Sequence, residues 1–200
     1  MLKVGLTGGL ACGKSFVGQA LAKSGCLLIQ ADELGHEVLA PGGEAFEAVI
    51  EEFGQDILAD GRIDRRRLAA RVFSDREALA RLNALVHPPV VAREEKLMAE
   101  FAARQPQGIA VVEGAILIET GSYKRFDRLI VVVCTPAQQI ERSMRRDGST
   151  EPEVRARLDR QMPLAEKRKL ADFVIDTSGT KQDTLGQTCA VYHELRRIEI

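Results

Sequence analysis

Gly8-Gly9-Leu10-Ala11-Cys12-Gly13-Lys14-Ser15 matches the pattern G-x-x-x-x-G-K-[ST], and its flanks are as informative as its letters. It follows the apolar segment Leu2-Lys3-Val4-Gly5-Leu6-Thr7 and runs through Phe16 into a helix-like pattern, the strand-turn-helix context of a P-loop. A phosphate chain needs several backbone N–H groups converging on it. A glycine-rich turn entering a helix N-terminus lets the backbone come that close. In this reading residues Gly8 to Phe16 hold the nucleotide, Lys14 places its ammonium between the outer phosphates, and Ser15 is a Mg2+ ligand. The alternative is a glycine-rich turn with no ligand.

The 200 residues, 45% hydrophobic and 28% charged, suffice for one good core with a small insertion. Apolar runs such as Leu129 to Cys134 are far too short to span a bilayer. The first strand leaves no room for a signal peptide, so a cytoplasmic protein is expected. A net charge of −1 gives no field favouring nucleic acid. Cys12, Cys26, Cys134 and Cys189 lack C-x-x-C spacing and read as reduced thiols. Cys12 is expected to be exposed near a helix N-terminus, where a thiol's pKa is lowered.

Strand signals recur at Leu2 to Thr7, Cys26 to Ala31, Ile109 to Glu113, Leu129 to Cys134 and Phe173 to Asp176, with helical periodicity between most of them. Continuous Val/Ile/Leu runs separated by helices predict a doubly wound α/β fold, a five-stranded parallel sheet covered on both faces. The stretch between the second and third strands exceeds what one crossover helix needs, so a helical insertion must fill it. The expected division is a nucleotide-binding core of residues 1–32 and 108–200, with a lid at about 142–155, and an acceptor-binding insertion of 33–107. Within the insertion, Pro41-Gly42-Gly43 breaks a first helix and Glu44 to Phe53 resumes it, with Phe46, Val49, Ile50 and Phe53 on one face. Gly54 and Asp60-Gly61 mark turns. Asp64 is expected to cap a helix carrying Leu68 and Val72, Ser74 to cap the next, and His87-Pro88-Pro89 to open a further long helix.

A P-loop says phosphate without saying what is done with it. Asp32 ends the second strand, and the carboxyl ends of strands line the ligand crevice of an open α/β sheet. A carboxylate there can deprotonate an acceptor hydroxyl attacking the γ-phosphate, the alternative being a helix N-cap. Glu113, closing the third strand, reaches Mg2+ through water or merely solvates a strand end. Glu119 shapes the acceptor site or caps the Thr120-Gly121 turn. From Gln138 to Arg146 a helix carries Arg142 and Arg146 one turn apart, an arrangement suited to a lid that closes positive charge over the phosphates. The cluster Arg62, Arg65, Arg66, Arg67 and Arg71 has few aromatic residues for base stacking in a chain only 4% aromatic, and it reads as a solvated face offering one or two contacts to an anionic substrate. His87 is a structural turn or a substrate contact. His36 and His193 lack a partner pattern.

These residues together resemble the dephospho-coenzyme A kinase family from Val4 to about Gly179. Leu6-Thr7-Gly8-Gly9 with Gly13-Lys14-Ser15 is similar to that family's P-loop. Phe53-Gly54, Asp60-Gly61-Arg62-Ile63-Asp64-Arg65, Val72-Phe73 and His87-Pro88 resemble its helical substrate domain in order and spacing. Glu113 to Glu119, Gln139-Ile140-Glu141-Arg142, Arg146-Asp147, Gln161 and Ala171-Asp172-Phe173-Val174-Ile175-Asp176 resemble its later motifs. The resemblance implies ATP and Mg2+, phosphorylation of the ribose 3′-hydroxyl of dephospho-CoA, and an acceptor base at Asp32, with Arg65, His87, Glu113 and Glu119 toward the substrate. A monomer acting on a small molecule is expected. The chain departs from the family pattern at Gln30, Glu113 and Thr177, where Asp, Asp and Asn are usual, at Ala11-Cys12, usually Gly-Ser, and at Ala115-Ile116-Leu117, usually Pro-Leu-Leu. A kinase for another nucleoside-like acceptor and a non-catalytic nucleotide switch remain alternatives.

Overall fold

A computed structural model describes residues 1–73 and 75–198. In chain order its elements are β1 (Leu2–Gly8), α1 (Lys14–Lys23), β2 (Leu27–Gln30), α2 (Ala31–Val38), α3 (Phe46–Phe53), β3 (Leu58–Ala59), β4 (Arg62–Ile63), α4 (Arg65–Phe73), α5 (Arg76–Arg104), β5 (Ile109–Glu113), β6 (Arg128–Val133), α6 (Pro136–Asp147), α7 (Glu151–Leu158), α8 (Leu164–Lys169), β7 (Phe173–Asp176) and α9 (Lys181–Arg196). The chain forms two compact units, one of Met1–Gln30 with Met98–Ile200 and one of Ala31–Leu97.

The first unit is an α/β structure around a five-stranded sheet of order β2-β5-β1-β6-β7, every neighbouring pair parallel. Strand side chains alternate between faces, so each strand feeds two apolar layers. Leu2, Val4 and Leu6 join Ile109, Val111, Ile130 and Val132 on one face, against Val17 and Leu21 of α1 and Val191 and Leu195 of α9. Leu129, Val131 and Val133 face the other way, with Ile118, Met162, Leu164 and Val174 around them. Each fully buried aliphatic side chain of this kind contributes about 1.5–3 kcal/mol. The chain crosses from β1 outward to β2, and later from β5 to β6 on the far side of β1. The order therefore reverses around β1, and the loop after β1 opens at the switch point where such sheets bind ligands.

The helix starts are local chemistry. Thr135 with Gln138, Thr150 with Glu153 and Thr180 with Asp183 form reciprocal capping boxes at α6, α7 and α9. Two strands come out shorter or shifted relative to the sequence pattern: β2 omits Cys26 and Ala31, and β6 begins at Arg128 and stops before Cys134.

In the second unit α3 buries Phe46, Val49 and Phe53. Asp64 caps α4 as its sequence position predicts, its Oδ1 accepting from the backbone N–H of Arg66 at 2.8 Å and Arg67 at 3.1 Å, and Leu68 and Val72 are buried. The turn at Asp60-Gly61 joins the antiparallel pair β3-β4, a hairpin the periodicity did not disclose because its strands are two residues each. Ser74 lies outside the described residues; Asp75 accepts from the N–H groups of Glu77 and Ala78 and serves the start of α5. The expected helix start at His87-Pro88-Pro89 is corrected: Pro88 and Pro89 lie inside α5. Each proline removes one intrahelical donor and costs about 3 kcal/mol, and the long flanking runs of Ala, Leu, Glu and Arg carry the helix through.

Candidate functional site

The loop after β1 is shaped by close packing on both sides. A Cβ at Gly8 would collide with the Val132 carbonyl, and one at Gly9 with the Gln139 side-chain amide. Gly13, at φ +83°, turns the chain into α1, and no side-chain hydrogen bond caps that helix. Ala11 also adopts a left-handed φ of +54°. That is a strained choice for a residue with a Cβ, and it holds because the surrounding bonds fix the loop. Two buried or half-buried amides clamp Leu10: Gln161 Oε1 accepts from its N–H at 3.1 Å and Gln139 Nε2 donates to its carbonyl at 3.0 Å. The result is a preformed, glycine-lined turn at a helix N-terminus, a geometry fitted to phosphate.

Ser15 Oγ donates to Glu113 Oε1 at 2.7 Å, joining the start of α1 to the end of β5. Glu113 is buried, and Lys14 Nζ donates to the Gly9 carbonyl at 3.3 Å. No group of three or more His, Cys, Asp or Glu suited to a metal occurs among the described residues. A hydroxyl beside one carboxylate is nonetheless the donor set Mg2+ uses when phosphates and water complete its octahedron, so these residues fit a nucleotide-borne Mg2+.

Arg142 reaches back toward this loop. Its guanidinium donates to Thr177 Oγ1 at 3.0 Å and to the Thr177 carbonyl at 2.8 Å, while Thr177 Oγ1 donates to the Cys12 carbonyl at 2.9 Å. Arg146, one turn on, binds both oxygens of Asp147 at 2.7 and 3.0 Å. That pairing, reinforced by Arg157, holds the Asp147 carboxyl below its ordinary range, and the 3.1 Å bridge from Arg157 ties α7 to α6. Glu119 lies 2.7 Å from Lys167 Nζ and accepts from the Met162 N–H at 3.2 Å.

All four cysteines are free thiols, and the expected exposure of Cys12 is corrected: it is fully buried, packed under the loop against Cys134. Cys134 Sγ donates to Cys12 Sγ at 3.3 Å, which lowers the Cys12 pKa and raises that of Cys134, with Lys14 adding to the former. Burial raises Cys26 to about 11. Only Cys189 is exposed. A thiol-specific reagent is therefore expected to modify one cysteine rapidly in the native protein, Cys189, and the other three only on unfolding. Rapid modification of two or more, mapped by mass, would contradict this packing.

Asp32, Arg65 and His87 belong to the second unit. Asp32 is exposed and lies inside the first turn of α2, two positions beyond Gln30, which pairs with Glu113 in the sheet. It does not precede the helix, so the N-cap alternative is set aside. Arg65 is exposed at the start of α4, and half-burial lowers the pKa of His87 within α5. Lys167 and the bridging role of Thr177 had no sequence signal. Lys167 stands in the run Glu166-Lys167-Arg168-Lys169, where nothing in the letters distinguishes the one buried cation from its exposed neighbours.

The chain is similar to known proteins along nearly its whole length. The family model for dephospho-CoA kinase matches residues 2–183. A dephospho-CoA kinase of Thermobifida fusca is 41% identical over 98% of this chain and 98% of its own length. A Thermus thermophilus crystal structure is 33% identical with a TM-score of 0.81, covering 97% of each chain. The structure of a Campylobacter jejuni dephospho-CoA kinase is 27% identical with a TM-score of 0.71, covering 98% of this chain and 97% of its own. With a preformed phosphate loop, a hydroxyl–carboxylate pair beside it and relatives of this similarity along its whole length, the chain belongs to the dephospho-CoA kinase family.

Proposed function

We infer that the protein transfers the γ-phosphoryl group of ATP to the ribose 3′-hydroxyl of dephospho-CoA, giving coenzyme A and ADP. The observation that carries the reading is the 2.7 Å bond from Ser15 of the phosphate loop to Glu113 at the end of β5, within a chain matched by this family over residues 2–183. The loop amides of Gly9 to Ser15 hold the phosphates, and Lys14 balances their charge. Ser15, with Glu113 behind it, would hold Mg2+, which would supply neutralisation of the charge on the phosphate oxygens. Asp32 orients the 3′-hydroxyl and accepts its proton as the 3′-oxygen bonds to the γ-phosphorus and the bond to the ADP oxygen breaks. Arg142 and Arg146 supply positive charge from the lid side, Arg142 already anchored through Thr177 to the loop. Arg65 and His87 are assigned to acceptor contacts.

No helix among the described residues is long and apolar enough to cross a membrane. We assign the protein to the cytoplasm, a reading supported by four free thiols and by ATP as donor. The test is a coupled assay with ATP, Mg2+ and dephospho-CoA, the product checked by mass for one added phosphate and by NMR for its 3′ position. Turnover of other nucleoside acceptors with none of dephospho-CoA would overturn the assignment.

A further inference from the structure

Lys167 is the largest fully buried side chain among the described residues, and it is charged. A buried ammonium is tolerated only where acceptors replace its lost water. Here they come from two segments, the end of β1 and the stretch that follows β5. Nζ lies 3.4 Å from the carbonyl of Gly8, where β1 enters the phosphate loop, and 3.4 Å from that of Ala115, just beyond Glu113 on the β5 exit. It also lies 2.7 Å from Glu119 Oε1, and Glu119 in turn accepts from Met162 N–H on the segment that returns from α7 to α8. The Ala115 carbonyl is shared with Thr7 Oγ1 at 3.4 Å, so strand β1 meets the same point from its own side.

We propose that Lys167 is a positioning residue for phosphoryl transfer, its buried ammonium fastening the entry of the phosphate loop to the segment beyond Glu113 and, through Glu119, to the connection from α7 to α8. The inference rests on the kinase reading above and extends it to a residue far along the chain. The geometry explains why an ammonium is needed there. Two backbone carbonyls and a carboxylate oxygen converge on one point, and Lys supplies three N–H groups from one atom to meet them. It also gives Glu119 a role as the counter-ion of that cation. The loop clamps at Leu10 fix the middle of the loop; Lys167 fixes its beginning.

A neutral pair separates positioning from simple charge compensation. In Lys167→Met alone the Glu119 carboxylate is left without its cation, and thermal stability falls. In Lys167→Met/Glu119→Gln both charges are gone, and Tm returns toward the native value. If Lys167 positions the loop, the double variant still binds a fluorescent ATP analogue at least about tenfold more weakly and turns over about 10²-fold more slowly, the scale of a misplaced reacting group. Recovery of nucleotide affinity to within about twofold together with Tm overturns the proposal. The nucleotide measurement needs no acceptor, so it stands even if the acceptor proves to be other than dephospho-CoA. Hydrogen exchange covers a double variant of poor stability. In Lys167→Met, peptides over 8–15 and 114–119 are expected to exchange faster while those of α9 keep their protection, and a uniform loss of protection overturns the proposal.

Discussion

Replacing Asp32 by Asn is expected to lower kcat by about 10² or more while ATP binding stays near native, the loss that follows when a general base is removed and its shape retained. Asn can still accept a hydrogen bond from the 3′-hydroxyl, so acceptor affinity changes little. It cannot take the proton, so the 3′-oxygen must attack without assistance. Asp32 is well placed for such a purely chemical loss. It is exposed, it sits in the first turn of α2 immediately beyond β2, and it buries no apolar surface whose removal would unfold the chain. The measurement is steady-state turnover at saturating ATP and dephospho-CoA, beside the affinity of a fluorescent ATP analogue. Turnover within a few fold of native would remove Asp32 from the mechanism.

Lys14→Ala is expected to lower kcat/KM for ATP by about 10²–10³, the scale on which loss of one preorganised charge at the transferring group is felt. The ammonium donates to the Gly9 carbonyl at 3.3 Å, so the loop itself keeps the side chain beside its glycine-lined turn. Charge develops on the outer phosphates in the transition state, and the interaction is therefore stronger there than in the ground state. The variant should lose more in kcat than in ATP affinity, and an unchanged kcat/KM would contradict the role. Tm should change little, because removing Lys14 creates no core cavity.

Much of this was legible in the chain because it is carried by local or periodic signals. The G-x-x-x-x-G-K-[ST] letters sit where a strand gives way to a helix, and the Val/Ile/Leu runs mark the five parallel strands. Asp64 as a cap followed from side-chain chemistry within four residues. What stayed hidden depends on partners remote in sequence. Cys12 looked exposed because a loop residue is ordinarily so, yet Cys134, on the loop after β6, closes over it. The two prolines of α5 looked like a beginning because proline favours the first turn, and only the packing of the whole helix overrides that preference.

The sequence by itself determined the sheet, the phosphate loop and the kind of chemistry, since these follow from periodicities of two and of about four residues and from a motif that the backbone must obey. Tertiary structure alone decided which side chains hold that loop in place. Thr177, Gln139, Gln161 and Lys167 reach Cys12, Leu10 and Gly8 from points far along the chain. A buried lysine and an exposed one are the same letter, and only the packed sheet above Lys167, by removing its water, makes its ammonium a structural anchor.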